Sequence, residues 1–122
     1  MNRILFAASI LSTQIAFAEV DPARQNELLY FVKHDCGSCH GMTLNGGLGP
    51  ALLPQTLSAQ PKSYIVHTIM EGRKNTAMPP WKSMLSRDEA TWIAEQLQQG
   101  LIQATKMAQN KEEVSTQVSK PE

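Results

Sequence analysis

Apolar side chains recur at helical spacing in three stretches of the chain. The first stretch has them at intervals of three and four residues, at Leu28, Leu29, Val32 and Cys36. This spacing places side chains on one face of an α-helix. Asp21 can cap the start of this helix, and Pro22 suits its first position, where a missing N–H costs nothing. The pattern predicts a helix from Pro22 that leads into Cys36.

A second helix is predicted after Pro61. Its apolar positions Ile65 and Ile69 fall on one side, and Tyr64 and Thr68 lie near the same face. That face is expected to be the buried one, because apolar positions that share one side of a helix point to the core.

The third helix has both a start and a stop signal. Ser86 followed three residues later by Glu89 has the pattern of a capping box, and Gly100 is suited to end a helix. The apolar residues between these signals are Ile93, Ala94 and Leu97, with Trp92 alongside. Gly- and Pro-rich loops at 45–50 and 78–80 separate the helices, and no stretch alternates as a strand would. The sequence therefore predicts an all-α fold with three main helices.

The two ends of the chain differ from its middle. Arg3 precedes an apolar run over residues 4–16, and Ala16-Phe17-Ala18 has the small-x-small pattern that signal peptidase reads. The run is shorter than the ~18–20 apolar residues that span a bilayer, and polar residues interrupt it. We therefore expect a signal peptide at 1–18, cleavage after Ala18 and export to the periplasm. A domain is expected at 19–103, with a polar, flexible tail at 104–122.

Composition narrows the range of functions. The chain has 122 residues, with 11 Lys and Arg against 11 Asp and Glu. This balance excludes a nucleic-acid binder that acts through bulk positive charge. We expect a monomer with no membrane contact after signal cleavage. A domain of about 85 ordered residues is often marginally stable alone, so a bound apolar group would help it to fold.

The strongest motif is Cys36-Gly37-Ser38-Cys39-His40, because C-x-x-C-H is the attachment sequence of a c-type haem. Two residues between the cysteines place both thiols on one helical turn, where they can face the two vinyl groups of a porphyrin. His40 then falls under the iron and can supply its proximal imidazole. The motif predicts one covalently bound haem c.

Three other interpretations of the cysteine pair are weaker. A disulfide does not need His40, and a thioredoxin-like pair needs a βαβ context that the sequence lacks. A zinc site needs a fourth ligand and usually a second paired motif.

The residues after the motif suit the same chemistry. Gly41 lets the chain turn away from His40, and Leu48-Gly49-Pro50 can form a loop beside the imidazole. We expect the carbonyl of Pro50 to accept the Nδ1–H of His40 and so to fix its tautomer. The glycines and the proline would form a turn in any case.

Whether the protein supplies a sixth iron ligand decides between an electron carrier and a haem enzyme. The candidates are His34, His67, Met42, Met70, Met78 and Met84. Met78 is followed by Pro79, which favours an extended backbone that can hold a thioether out towards iron. Met/His ligation is the common arrangement in cytochromes c, so we predict Met78 as the ligand, with Trp81 packed beside its loop. His67 is the main alternative.

Three basic residues flank the predicted Met78 loop: Arg73, Lys74 and Lys82. They could steer an acidic partner, neutralise haem propionates or simply be solvated.

Together these features resemble class I cytochrome c, from the first helix through C-x-x-C-H and the Met-Pro loop to the last helix. The motif with its Gly-Leu-Gly-Pro-Ala-Leu loop and Ala-Met-Pro-Pro-Trp resembles, more narrowly, the small NirC-type cytochromes of denitrification gene clusters. One departure is Val32, which stands four residues before Cys36, where many class I cytochromes have an aromatic. Packing through Phe31, or a wider crossing with the Trp92 helix, is the expected consequence.

The resemblance implies a class I cytochrome c fold around one haem and a one-electron carrier rather than an enzyme. It also implies redox partner proteins: a cytochrome cd-type nitrite reductase, or a protein that matures its d-type haem. An alternative function is a haem enzyme or gas sensor with an open sixth position. A role in assembly of another cofactor would use the same residues as the carrier.

Overall fold

Helices make up the regular secondary structure of the computed structural model, which describes residues 19–100 and Ile102. They are α1 (Pro22–Phe31), a π-helical segment (Val32–Cys36), α2 (Gly37–His40), α3 (Pro54–Leu57), α4 (Lys62–Glu71) and α5 (Arg87–Gln99). The three predicted helices correspond to α1, α4 and α5, and the all-α prediction is confirmed. The expected signal peptide and tail, 1–18 and 104–122, lie outside the described residues.

The predicted helix ends are confirmed. The side chain of Asp21 accepts a hydrogen bond from the N–H of Ala23 at 3.1 Å. The Ser86 hydroxyl accepts from the N–H of Glu89, and the Glu89 carboxylate accepts from the N–H of Ser86. Gly100 ends α5 in the left-handed conformation, with φ of 71°. These caps satisfy backbone groups that a helix end leaves without an internal partner.

The buried face of α4 differs from the prediction. Tyr64 is 47% exposed, whereas Val66 is buried beside Ile65. Ile69 and Met70 pack against them, so the helix is rotated away from Tyr64. The rotation places Val66 and Met70 against α5, where Ala90 and Ala94 leave room for larger side chains.

Two apolar clusters form the core, and α5 contributes to both. The larger consists of Leu28, Val32, Leu44, Leu85, Ile93, Leu97 and Ile102. The smaller joins α4 to α5 through Ile65, Val66, Ala90 and Ala94. Within the described part of the chain, no helix has the length and hydrophobicity needed to cross a membrane.

An ion pair ties α1 to the start of α5. Nε of Arg24 lies 2.5 Å from Oε1 of Glu89, whose side chain is 18% exposed. The hydrogen bond from Arg24, followed by that from the Ser86 backbone, lowers the pKa of Glu89 below its ordinary value of 4.5. Glu89 thus stabilises the fold twice, as a cap and as an ion-pair partner.

Replacing Glu89 tests this double role. We expect Glu89→Gln to lower the free energy of unfolding of the haem-loaded protein by about 1 kcal/mol at neutral pH. A carboxyl whose pKa is depressed on folding stabilises fully above its unfolded pKa, and this contribution is lost as the pH falls through the folded pKa. The difference between the variant and the wild type should therefore shrink below pH 4.5, as followed by urea unfolding.

Glu27→Gln is the matched control, because Glu27 also pairs with Arg24 but its side chain is 65% exposed. We expect a loss of only about 0.3 kcal/mol from this variant. An equal loss from both variants, or a difference that does not depend on pH, would contradict the role assigned to Glu89.

Candidate haem-binding site

The attachment motif lies where the first helix changes its winding. The chain passes from α1 into the π-helical segment, which ends at Cys36, and then into α2, which ends at His40. The N–H of Gly37 donates to the carbonyls of Val32 and His34, and the hydroxyl of Ser38 donates to the carbonyl of Asp35. Single π-turns within helices often occur at functional sites. Here the π-turn sets the direction in which the motif leaves α1.

Both cysteines are free thiols in partly buried positions. Burial, with a further contribution from the charge of Asp35, raises the pKa of the Cys36 thiol to about 12. Cys36 is therefore a neutral thiol at physiological pH. Among the described residues, no group of three or more His, Cys, Asp or Glu side chains could hold a metal ion. The structure does not join the two thiols to each other.

His40 is held in one orientation. It is 8% exposed, and its Nδ1 lies 2.7 Å from the carbonyl oxygen of Pro50. A carbonyl oxygen can only accept a hydrogen bond, so Nδ1 carries the proton and donates it. In the neutral imidazole this arrangement leaves the lone pair of Nε2 available to a metal. The hydrogen bond thus orients the imidazole as a metal ligand.

A glycine-rich loop lies flat against the motif and supports this orientation. The N–H of Gly49 donates to the carbonyl of Cys39, and the N–H of Gly46 donates to the carbonyl of His40. A Cβ on Gly49 would lie 2.6 Å from Cε1 of the His40 ring, closer than real contacts allow. Gly41 has a φ of 86°, which lets the chain reverse directly after His40. The close approach therefore depends on glycine.

Met78 lies in a loop that is fastened to the end of α4. Its carbonyl accepts from the N–H of Arg73 at 3.2 Å, and its N–H donates to the hydroxyl of Thr76 at 3.3 Å. After the two prolines, the N–H of Trp81 donates to the carbonyl of Ile69 in α4. Met78 itself is partly buried. The backbone of the loop is thus a closed turn tied to α4, and it fixes the place of Met78 in the chain.

Phe31 and Trp81 join the two parts of the site. Their rings meet edge to face, with centroids 5.0 Å apart and an angle of 84° between planes. Phe31 ends α1, one turn before Cys36, and Trp81 lies three residues after Met78. Phe31 was expected at the crossing with the Trp92 helix; the ring contact that the structure shows for it is with Trp81 in the Met78 loop.

The remaining ligand candidates occupy other positions. Met42 and Met84 are 51% and 57% exposed, and His34 stacks on Tyr30 at the surface, with ring centroids 4.2 Å apart. Met70 packs against the α4–α5 cluster. His67 is exposed on α4.

The basic residues around the Met78 loop are not equivalent. Nζ of Lys82 lies 2.7 Å from Oε2 of Glu71, so its charge is locally balanced. Arg73 and Lys74 form no side-chain ion pair with any described residue. An acidic partner would therefore meet two unbalanced cations there rather than three.

Sequence reasoning placed the loop of Gly49 beside the imidazole but missed its direct contact with the ring, and it missed Gly72 as a contact of the Met78 loop. A Cβ on Gly72 would lie 2.6 Å from the carbonyl oxygen of Met78. Gly72 follows the last residue of α4, as a glycine that ends a helix does, and that position was the available signal. The direct contact of Gly49 with the ring has no local signal, because it depends on how the loop folds back onto the end of α2.

The arrangement fits a covalently bound haem. It offers two unpaired thiols on one turn, an imidazole with its Nε2 free, and a thioether in a separate, fixed loop. An imidazole and a thioether are the iron ligands typical of cytochromes c.

Known proteins share both sequence and fold with this chain. Residues 23–96 match the family described as cytochrome c oxidase, cbb3-type, subunit III. Cytochrome c55X of Pseudomonas aeruginosa is 48% identical over 82 residues, 67% of this chain and 69% of that protein. Cytochrome c55X of Paracoccus denitrificans is 37% identical over 97 residues, 80% of this chain and 94% of that protein. A solved structure of the c-type cytochrome NirC is 48% identical, with a TM-score of 0.66, and covers 67% of this chain and 96% of that one.

The helical fold and the C-x-x-C-H turn, taken with these likenesses, define a class I c-type cytochrome, an electron-transfer protein rather than an enzyme. Within that class the chain belongs to the NirC type, which the cytochrome c55X proteins also represent. Membership implies a haem c and redox partner proteins.

The glycine contact with His40 gives a prediction. We expect Gly49→Ala to lower the free energy of unfolding of the haem-loaded protein by about 1–3 kcal/mol, because the new methyl overlaps the imidazole ring. Gly37→Ala is the control, since a Cβ there meets its nearest neighbours at 3.5 Å, an ordinary contact. Chemical unfolding of both variants measures the difference, and equal stabilities would contradict the close packing of Gly49.

Proposed function

We propose that the chain binds one haem c through thioether bonds to Cys36 and Cys39, with His40 and Met78 as the two axial ligands. The observation that carries this proposal is the hydrogen bond from Nδ1 of His40 to Pro50, because it leaves Nε2 free to ligate. The bound haem supplies a one-electron couple, and the protein transfers single electrons without converting a substrate.

The chain's residues contribute orientation and closure. His40 is fixed by Pro50 and by the flat approach of Gly49, so its ring keeps one orientation in both oxidation states. Met78 is kept in place by a loop closed at both ends. Two protein ligands fixed in this way leave no open position for a substrate or a gas.

Met78 is favoured over His67 by its setting. Met78 is partly buried in a loop whose exit is tied through Trp81 to Phe31, close to the attachment motif. His67 is exposed, and the buried face of its helix consists of other residues. The position of Met78 thus supports the Met/His arrangement.

We further propose that the protein works in the periplasm during denitrification, as donor to a cytochrome cd-type nitrite reductase, in maturation of its d-type haem, or in both. Support comes from the likeness to NirC and to cytochrome c55X. Export is part of the proposal, and N-terminal sequencing of the purified protein should find Glu19 as its first residue. A reconstitution that measures nitrite-reductase reduction and d-haem maturation side by side separates the two roles.

The covalent link is tested by extraction. Acid-acetone treatment should leave the haem on the polypeptide, and a haemochrome assay should give one haem per chain. Cys36→Ala and Cys39→Ala should each prevent accumulation of stable haem-loaded protein, since the bound group contributes to folding stability. A haem that extracts freely from the wild type would contradict the proposal.

The axial ligand is tested by Met78→Ala. The oxidised wild type should show a weak near-infrared sulfur-to-iron charge-transfer band, and the variant should lose it. The variant should also have a lower reduction potential and bind carbon monoxide when reduced, because its sixth position is open.

Met84→Ala is the matched control, because Met84 is an exposed methionine six residues away. This variant should keep the near-infrared band. Loss of the band in Met84→Ala but not in Met78→Ala would reassign the ligand. Absence of the band in the wild type would favour His67 or an open site, and with an open site the enzyme or sensor alternative.

A further inference from the structure

A cavity of about 770 Å³ lies between α4 and the loop that carries Met78. Its volume is in the range of sites that bind small molecules. His67 and Glu71, one turn apart on α4, form one wall, and Arg73, Lys74 and Met78 belong to the other. The attachment motif and Pro50 do not line this cavity. It is therefore separate from the proximal side of the haem site.

Positive charge dominates the cavity. Glu71 is the one carboxylate among its lining residues, and it is committed to Lys82 at 2.7 Å. That hydrogen bond is the main reason why the pKa of Glu71 is lowered, so the carboxylate stays ionised and balanced. Arg73 and Lys74 have no such partner among the described residues. Two uncompensated cations thus face one cavity.

The hydroxyl of the loop is already engaged. The hydroxyl of Thr76 donates to the carbonyl of Arg73 at 2.7 Å and accepts from the N–H of Met78. The guanidinium of Arg73 and the ammonium of Lys74 are the cationic donors of the cavity lining that form no ion pair with a described residue. A guanidinium matches the paired oxygens of an oxyanion, and an ammonium adds a point charge.

We propose that this cavity binds a small multivalent oxyanion of the phosphate or pyrophosphate class through Arg73 and Lys74, and that its occupancy lowers the reduction potential. The effect on the reduction potential rests on the proposed function, since it takes Met78 as an iron ligand. Met78 belongs to the cavity wall, so a bound anion lies against the ligand loop and favours the more positive, oxidised iron. By linkage, the oxidised protein must bind the anion more tightly than the reduced protein.

Calorimetric titration of the haem-loaded protein with pyrophosphate, at constant ionic strength, tests this directly. We expect one saturable site and at least threefold tighter binding to the oxidised form. A threefold preference corresponds to a decrease of about 28 mV in reduction potential at saturation, from 59 mV per tenfold for one electron. Absence of saturable binding, or an unchanged potential at saturation, would overturn the proposal.

Charge-matched variants locate the site. Arg73→Gln and Lys74→Gln should each weaken binding at least fivefold, and Glu71→Gln should strengthen it by removing the carboxylate and releasing Lys82. Lys33→Gln removes the same charge at an exposed position outside the cavity and should change the affinity less than twofold. If Lys33→Gln weakened pyrophosphate binding equally, the anion would be attracted by the overall charge of the protein. That result would overturn the assignment of the site to Arg73 and Lys74. The near-infrared band measured without pyrophosphate reports only whether Met78 ligates the iron. A failure of the proposed function is therefore distinguished from a failure of anion binding.

Discussion

The hydrogen bond between Nδ1 of His40 and the carbonyl of Pro50 is the contact on which the site depends. It selects the tautomer that leaves Nε2 free, and it is possible only because the loop before Pro50 lies against the ring. Gly49 allows the loop to approach the ring because it has no Cβ, and its N–H donates a hydrogen bond to the carbonyl of Cys39. The orientation of His40 and the packing of the loop against its ring therefore depend on each other.

The same loop carries a residue that links the site to the core. Leu44 is fully buried and adopts a φ of 61°, an uncommon conformation for a side chain of this size. Its carbonyl accepts from the N–H of Leu52, which closes the turn after the motif. Burial of Leu44 against Leu28 and Ile93 offsets the backbone strain. The core therefore holds the turn in the shape that brings Pro50 to His40.

Local signals in the sequence were sufficient for the helix ends, because each is set by residues close together in the chain. Asp21, the Ser86–Glu89 box and Gly100 act over one helical turn. The π-helical segment and α3 were not predicted, and Val66 rather than Tyr64 proved to be buried. These features depend on which helix packs against which. For the same reason, the contact of Phe31 with Trp81 could be expected only in part.

The end of α4 explains why Met78 has a defined place. A helix leaves its last carbonyls without internal partners, and here Trp81 and Lys82 donate to those of Ile69 and Met70. Pro79 and Pro80 have no N–H, so Trp81 is the first donor available after Met78. Trp81 thus makes two contacts at once, its N–H with α4 and its ring with Phe31. The residues that follow Met78 thus hydrogen-bond to the end of α4, and the backbone of Met78 is positioned by α4 as much as by its own loop.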